Sequence, residues 1–174
     1  MAHRRTSRLL SLAAWAAAGL VLGGCDTLNG ARRTAHLDEM PPADCVAGVL
    51  ATQPGIGNIE RRTGVPHEYL TMQGWVTPLG LEESFAYRST DGAKLAFLIM
   101  GPGTDSHAYF EQYMGAMGRL PSQRSVDAAR PVMASIERRV GAECGHPELP
   151  TAIVERCTKG LACGPIGDAA SAPR

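Results

Sequence analysis

The chain has few aromatic side chains, no excess of positive charge and no internal repeat. Among its 174 residues there are three Phe, four Tyr and two Trp, so its core must be built mainly from aliphatic side chains. Seventeen Lys and Arg balance seventeen Asp and Glu, whereas a nucleic-acid-binding domain normally carries a basic excess. The hydrophobic content of 44% is enough for one folded domain. Composition therefore favours a single globular domain that does not bind nucleic acid.

Recognisable catalytic motifs are also missing from the sequence. Neither G-x-S-x-G nor H-E-x-x-H occurs, and the glycine-rich stretch 54–58 lacks the lysine of a phosphate-binding loop. We therefore predict that the protein is not an enzyme and holds no cofactor. An enzyme with a dispersed site remains an alternative, and His67, Glu83 and His107 are the candidate residues for it.

The first 25 residues have the pattern of an export signal. Three arginines within residues 1–8 precede the apolar run 9–22, which is shorter than the roughly 20 residues that a transmembrane helix needs. The run ends in the sequence LGGC at residues 22–25, which resembles the lipobox of bacterial lipoproteins. The resemblance implies that residues 1–24 are a signal peptide and that Cys25 is acylated and becomes the mature N-terminus.

The same resemblance implies a location and a first partner. It places the protein on a bacterial membrane, facing the periplasm and anchored by the acyl chains on Cys25. Asp26 favours the inner membrane by the sorting rule of enteric bacteria; because that rule varies, the outer membrane remains open. The mature chain would carry fourteen basic and seventeen acidic side chains, a net charge of −3. We therefore expect no polybasic patch for anionic lipid, so that the acyl chains alone provide the anchor.

Four cysteines remain after Cys25, and an even number in an exported chain predicts two disulfides. We favour Cys45–Cys144 together with Cys157–Cys163, because the second pair encloses a short loop that a glycine can turn. The nearest alternative joins Cys144 to Cys157 and Cys45 to Cys163.

Three binding sites are conceivable from the residue types. Cys144, His146, Cys157 and Cys163 could hold a metal, although they lack the paired C-x2-C spacing of zinc sites. A methionine stripe, with Met114 and Met117 near Met100 and Met133, could bind copper but is more typical of a core. Tyr69 and Trp75 could form an apolar platform for a partner.

Hydrophobic patterning predicts an α+β domain over residues 42–163, with a small antiparallel sheet packed against three or four helices. The hairpin 83–100 is expected at the centre of the sheet, because Asp91-Gly92 suits a tight turn before an apolar run. The predicted helices, based on capping residues and apolar spacing, cover residues 44–51, 107–119, 125–143 and 148–156. Weaker patterns predict strands at 56–62 and 69–76. Residues 25–41 are predicted to be a flexible tether, and residues 164–174 a disordered tail.

The sequence thus predicts a lipid-anchored envelope protein whose domain is a non-catalytic binding or structural module. Its partner would be another envelope protein or a component of the cell wall. The alternative from a different class is a periplasmic binder of a ligand or metal, using the Cys/His cluster or the methionine stripe.

Overall fold

A computed structural model of the chain describes residues 28–63, 83–90, 92, 94–102, 107–117 and 119–164. The predicted signal peptide and Cys25 lie outside the described residues, as do His67, Tyr69, Trp75 and all but the first residue of the predicted tail. None of the helices in the described ranges is long and apolar enough to cross a membrane.

The described chain contains six strands and three helices. In order they are β1 (Leu28–Leu37), α1 (Ala43–Ala51), β2 (Ile56–Thr63), β3 (Glu83–Ser89), β4 (Lys94–Pro102), β5 (Ala108–Met117), α2 (Gln123–Glu143), α3 (Leu149–Ala152) and β6 (Val154–Cys157). The strands form one sheet in the order β2-β3-β4-β5-β1-β6, and every neighbouring pair is antiparallel. Strands β2 to β5 are therefore a meander, and β1 joins its far side.

One face of the sheet packs against α1 and α2, and we call it the helix face. Side chains of a strand point alternately to its two faces. The odd-numbered residues of β1 and the even-numbered residues of β5 therefore lie on the helix face. The helix α2 supplies an apolar stripe at helical spacing to the same layer, and Ser122 begins this helix by accepting a hydrogen bond from the Ser125 amide. The core members from these elements are Ala31, Ala35, Phe110, Met114, Val126, Met133, Ile136 and Val140.

Two disulfides connect parts of this structure. Cys45, at the start of α1, is bonded to Cys144 after the end of α2, with 5.8 Å between the Cα atoms. Cys157, at the end of β6, is bonded to Cys163, with 6.0 Å between the Cα atoms. The favoured pairing is thereby confirmed. On the chain-entropy model the long loop contributes about 4.7 kcal/mol and the short loop about 2.4 kcal/mol.

The predicted fold class is wrong in its balance of helix and strand. The structure is mainly a six-stranded antiparallel sheet, with one long helix and two short ones in the described residues, instead of a small sheet under three or four helices. The hairpin predicted within 83–100 is confirmed, because β3 pairs with β4. A helix at the position of α2 is also confirmed.

Two segments account for most of the error. Residues 107–119, predicted as a helix, contain β5, and residues 25–41, predicted as a tether, contain β1. The helical spacing of Phe110, Met114 and Met117 coexists with a strand alternation in which Phe110, Gln112 and Met114 face the helices. The segment is a strand and not a helix because β1 and β5 pair, so that each strand supplies hydrogen-bond partners for the other's backbone. The predicted helix 148–156 likewise divides into α3 and β6.

We predict that Gly30→Ala destabilises the protein, whereas Gly48→Ala does not. A Cβ at Gly30 would overlap the carbonyl oxygen of Met114, since β1 and β5 approach closely there. Overpacking of this kind costs roughly 1–3 kcal/mol. Gly48 lies on the exposed side of α1 with open space around its Cα, so alanine there should stabilise the helix by up to about 1 kcal/mol. Urea unfolding of both variants would measure the difference, and equal midpoints would contradict the close approach.

Candidate binding site

The second face of the sheet, which we call the outer face, carries its own apolar cluster. Phe97, Ile99 and Tyr113 come from neighbouring strands β4 and β5, and each is at most 6% exposed. Ala86 of β3 packs against them. Tyr113 donates a hydrogen bond to the carbonyl oxygen of Asn29 at 3.0 Å, which attaches the cluster to β1. Burial raises the pKa of Tyr113, so its hydroxyl remains a donor at neutral pH.

Beside this cluster lies a depression of about 60 Å³, which we call the outer-face depression. Its apolar floor contains Ala86 and Phe97, and it also includes the buried Ser84. Polar side chains from β2, β3 and β4 form its rim: Glu60, Arg62, Arg88 and Lys94. Of the described residues in this rim, three are cations and one is a carboxylate.

Contacts within the depression orient its cations. The Lys94 ammonium lies 3.7 Å from the centre of the Phe97 ring, a cation–π contact that holds it over the apolar floor. Arg62 forms an ion pair with Glu60, its neighbour on the same face of β2. Arg88 donates to the carbonyl oxygen of Gly92 at 3.4 Å, at the turn between β3 and β4.

This arrangement suits a small acidic group attached to an apolar or neutral body. A carboxylate or phosphate can accept charge-assisted hydrogen bonds from Arg88 and Lys94 while its carbon skeleton meets Phe97. The space is small, so it accommodates an end group rather than a whole ligand. The depression is therefore a candidate site for the acidic terminus of a larger molecule.

A buried polar network lies on the opposite side of the sheet, between β1, β5 and α2. Arg33 donates to both carboxylate oxygens of Glu137 at 2.7 Å and to Glu155 at 2.8 Å. Gln112 donates to Glu137 and to the carbonyl oxygen of Met133, each at 2.8 Å. Tyr87 donates to Gln112 at 2.8 Å. The carboxylate of Glu137 is thus surrounded by donors from two strands although it is only 1% exposed.

Burial and pairing act against each other on these charges. Burial raises the pKa of Glu137, and Arg33 opposes the rise without cancelling it. The pKa of Glu155 is lowered because Arg130 and Arg33 donate to it and overcome the effect of its partial burial. Burial also disfavours the charge on Arg33, but the two carboxylates raise its pKa and keep it protonated. The network is closed by mutual hydrogen bonds, which indicates a role in fixing β1 against α2 rather than in chemistry on a substrate.

The structure does not bring the predicted metal ligands together. Cys144 is in a disulfide beside the end of α2, where His146 contacts Glu148 at 3.1 Å. Cys157 and Cys163 form the other disulfide, at the opposite end of the sheet. Oxidised cysteines offer no thiolate to a metal, and the described residues contain no group of three His, Cys, Asp or Glu side chains suited to a metal ion. Met100, Met114 and Met133 are buried core members.

Of the residues considered for a dispersed active site, the structure describes Glu83 and His107, and each has a different partner. Glu83 forms an ion pair with Arg61 at 3.0 Å, whereas His107 is exposed and faces Asp38 at 3.9 Å. The outer-face depression contains none of the residues singled out in the sequence. Only the alternation of residues 84, 86 and 88 on β3 could have suggested it, and that pattern does not identify their partners on β2 and β4.

Comparison of the chain with protein-family models, with curated proteins and with solved structures found no match.

We predict that Glu137→Gln strongly destabilises the protein, whereas Glu143→Gln on the same helix has little effect. The first change places an amide group against Arg33 and leaves a buried cation short of negative charge, a loss that typically costs about 3–5 kcal/mol. The second removes an exposed partner of Arg139 one turn away, where solvent screens the pair. Chemical denaturation of both variants tests this difference. Equal free energies of unfolding would show that the network contributes nothing beyond a surface ion pair.

Proposed function

We propose that this chain is a lipid-anchored protein of the bacterial cell envelope whose domain binds an acidic partner without catalysis. The observation that carries the binding function is the outer-face depression, where Arg62, Arg88 and Lys94 surround an apolar floor. The partner is a component of the cell wall or another envelope protein that presents a carboxylate or phosphate. Anchoring rests on the lipobox at residues 22–25.

Two structural features support export and anchoring. Both disulfides join cysteines of the mature chain, and such bonds persist in oxidising compartments such as the periplasm. The strand β1 begins at Leu28, three residues after Cys25. An acylated Cys25 would therefore connect the membrane directly to a paired strand of the sheet. Of the two membranes, Asp26 favours the inner one, and the outer membrane is the alternative outcome.

A non-catalytic role is supported by the way the ionisable groups are used. The buried carboxylate Glu137 is saturated by Arg33 and Gln112, and Glu83 is paired with Arg61. Catalysis by a nucleophile or a general base would need such groups to converge on one accessible point. The outer-face depression instead offers fixed cations, which suit recognition of a charge.

The anchoring part of the proposal predicts the mass of the native protein. Membrane-extracted protein should have the mass of the chain from Cys25 plus acyl groups, and Cys25→Ser should lack the acyl mass. The four other cysteines should react with an alkylating reagent only after reduction, which serves as the internal control for folding. An unmodified Cys25 in protein extracted from the membrane would contradict the lipid anchor.

The binding part predicts that acidic fragments of peptidoglycan perturb the amide signals of β3 and β4 in NMR spectra. The protein used is the chain from residue 25 onward with Cys25→Ser, produced in the periplasm so that its disulfides form. Arg88→Gln with Lys94→Gln should weaken this binding by tenfold or more, because each lost charged hydrogen bond is worth about 1.5–3 kcal/mol.

The matched control is Arg138→Gln, which removes an exposed arginine from α2 on the other side of the sheet. It should bind the fragments as the parent protein does. If the control and the double variant weaken fragment binding equally, the binding depends on the overall charge of the protein and not on the outer-face depression. If no acidic fragment binds the parent protein, the depression is not the site of a cell-wall ligand.

A further inference from the structure

The end of the domain at which β1 begins carries exposed cations and an exposed leucine. Two loops meet there, residues 119–124 and 158–163, and we call them together the proximal end. They carry the exposed cations Arg119, Arg124 and Lys159 and contain no acidic residue. Asp127, in the second turn of α2, is a nearby carboxylate that accepts a hydrogen bond from Gln123. Leu120 is 49% exposed, and the other large hydrophobic residues that are exposed in the described part of the chain are Met40 and Val154.

Hydrogen bonds and a disulfide hold the proximal end together and attach it to β1. The Gly30 amide donates to the hydroxyl of Thr158 at 2.9 Å, and the Thr158 amide donates to the Gly30 carbonyl at 3.0 Å. Gln123 exchanges two hydrogen bonds of 2.9 Å with the backbone of Ala162. The disulfide Cys157–Cys163 closes the loop that carries Lys159. These cations are therefore presented on an ordered surface rather than on a free tail.

The opposite end of the sheet carries the acidic residues, and we call it the distal end. Three of them, Asp38, Glu39 and Asp44, follow β1. The others are Glu83 at the start of β3, Glu143 at the end of α2 and Glu148 just before α3. Arg61 and Arg139 compensate part of this charge. Among the described residues, the exposed cations of the proximal end thus lie where β1 begins and the carboxylates of the distal end lie where it ends, although the expected mature chain has a net charge of −3. The expectation of an acidic body without a basic surface, drawn from composition, does not allow for this separation.

Chain length connects the proximal end to the membrane. Leu28 is the third residue after Cys25, and a fully extended chain covers at most about 3.6 Å per residue, so Leu28 lies within about 11 Å of an acylated Cys25. The ten residues of β1 rise by about 33 Å, which is three times that distance. The anchor alone would still allow the sheet to lie flat. The separation of charge decides the orientation, since anionic headgroups attract the proximal end and repel the distal end.

We propose that the proximal end is a membrane-contact surface, on which Arg119, Arg124 and Lys159 face anionic phospholipid headgroups and Leu120 enters the interface. This inference rests on the proposed anchoring through Cys25. The distal end then points away from the bilayer. The sheet then stands on the membrane.

Tryptophan quenching by brominated lipid tests this orientation with two matched variants. Trp75, the tryptophan that the mature chain already contains, is changed to Phe in both variants so that each has one probe. Leu120→Trp places that probe on the proximal end, and Met40→Trp places it beside the acidic distal end, where Met40 is also exposed, at 37%. The acylated variants are reconstituted into vesicles that contain phosphatidylglycerol and brominated phosphatidylcholine. We expect at least severalfold stronger quenching at residue 120 than at residue 40. Equal quenching, or stronger quenching at residue 40, would overturn the orientation. Ala162→Trp, also exposed on the proximal end, replaces Leu120→Trp if the latter does not fold.

The charges are tested by changing Arg119, Arg124 and Lys159 together to Gln. About 1 kcal/mol per cation near an anionic surface corresponds to a preference of about 100-fold for the contact state when all three act together. The parent Leu120→Trp protein should be quenched more strongly with phosphatidylglycerol present than in phosphatidylcholine alone, and the triple change should abolish that difference. Quenching that is independent of lipid charge in the parent would overturn the role of the cations. The intact mass of the same samples shows whether Cys25 is acylated, so a failure of anchoring is distinguished from a failure of orientation.

Discussion

The antiparallel pairing of β1 with β5 joins the first strand to the meander along its whole length, from Leu28–Met117 to Leu37–Ala108. Without it the sheet would end at β5 with an exposed edge, and β6 would have no partner. The pairing also places Arg33 under α2, where Glu137 and Glu155 neutralise its charge. A polar stretch that could not form a core by itself thereby becomes an interior strand.

The two ends of β1 acquire different roles from this arrangement. Its first residues are bonded to Thr158 and lie beside the loop closed by Cys157–Cys163, and its last residue leads to the acidic segment before α1. The other disulfide, Cys45–Cys144, ties α1 to α2 near the acidic end. One covalent bond therefore stabilises each end of the sheet. The proposed contact with a membrane through one end requires this stiffness, because a loose first strand would let the domain move freely about its anchor.

Sequence patterns predicted those features whose causes are local. The hairpin of β3 and β4 follows from a turn signal before a buried apolar run, and α2 follows from its apolar stripe. The cap of α2 is Ser122, whereas the sequence placed the start of the helix at Ser125. The pairing of the cysteines followed from loop length. Strand β1 was missed because Arg32, Arg33 and Thr34 look solvated until Glu111, Glu137 and Glu155 are supplied from distant parts of the chain. The outer-face depression was missed for a related reason, since its rim assembles only when β2, β3 and β4 are in register.

The central claim is that the chain from Leu28, three residues after the proposed acylation site Cys25, is part of the folded sheet and not a flexible tether. Hydrogen exchange followed by mass spectrometry on the membrane-extracted protein tests it in a single peptide covering residues 25–37. The account predicts that this peptide carries the mass of the acyl groups and that its amides from Ala31 to Ala35 exchange as slowly as those of β4. A peptide of unmodified mass, or one whose amides exchange as rapidly as those of an unfolded chain, would contradict it.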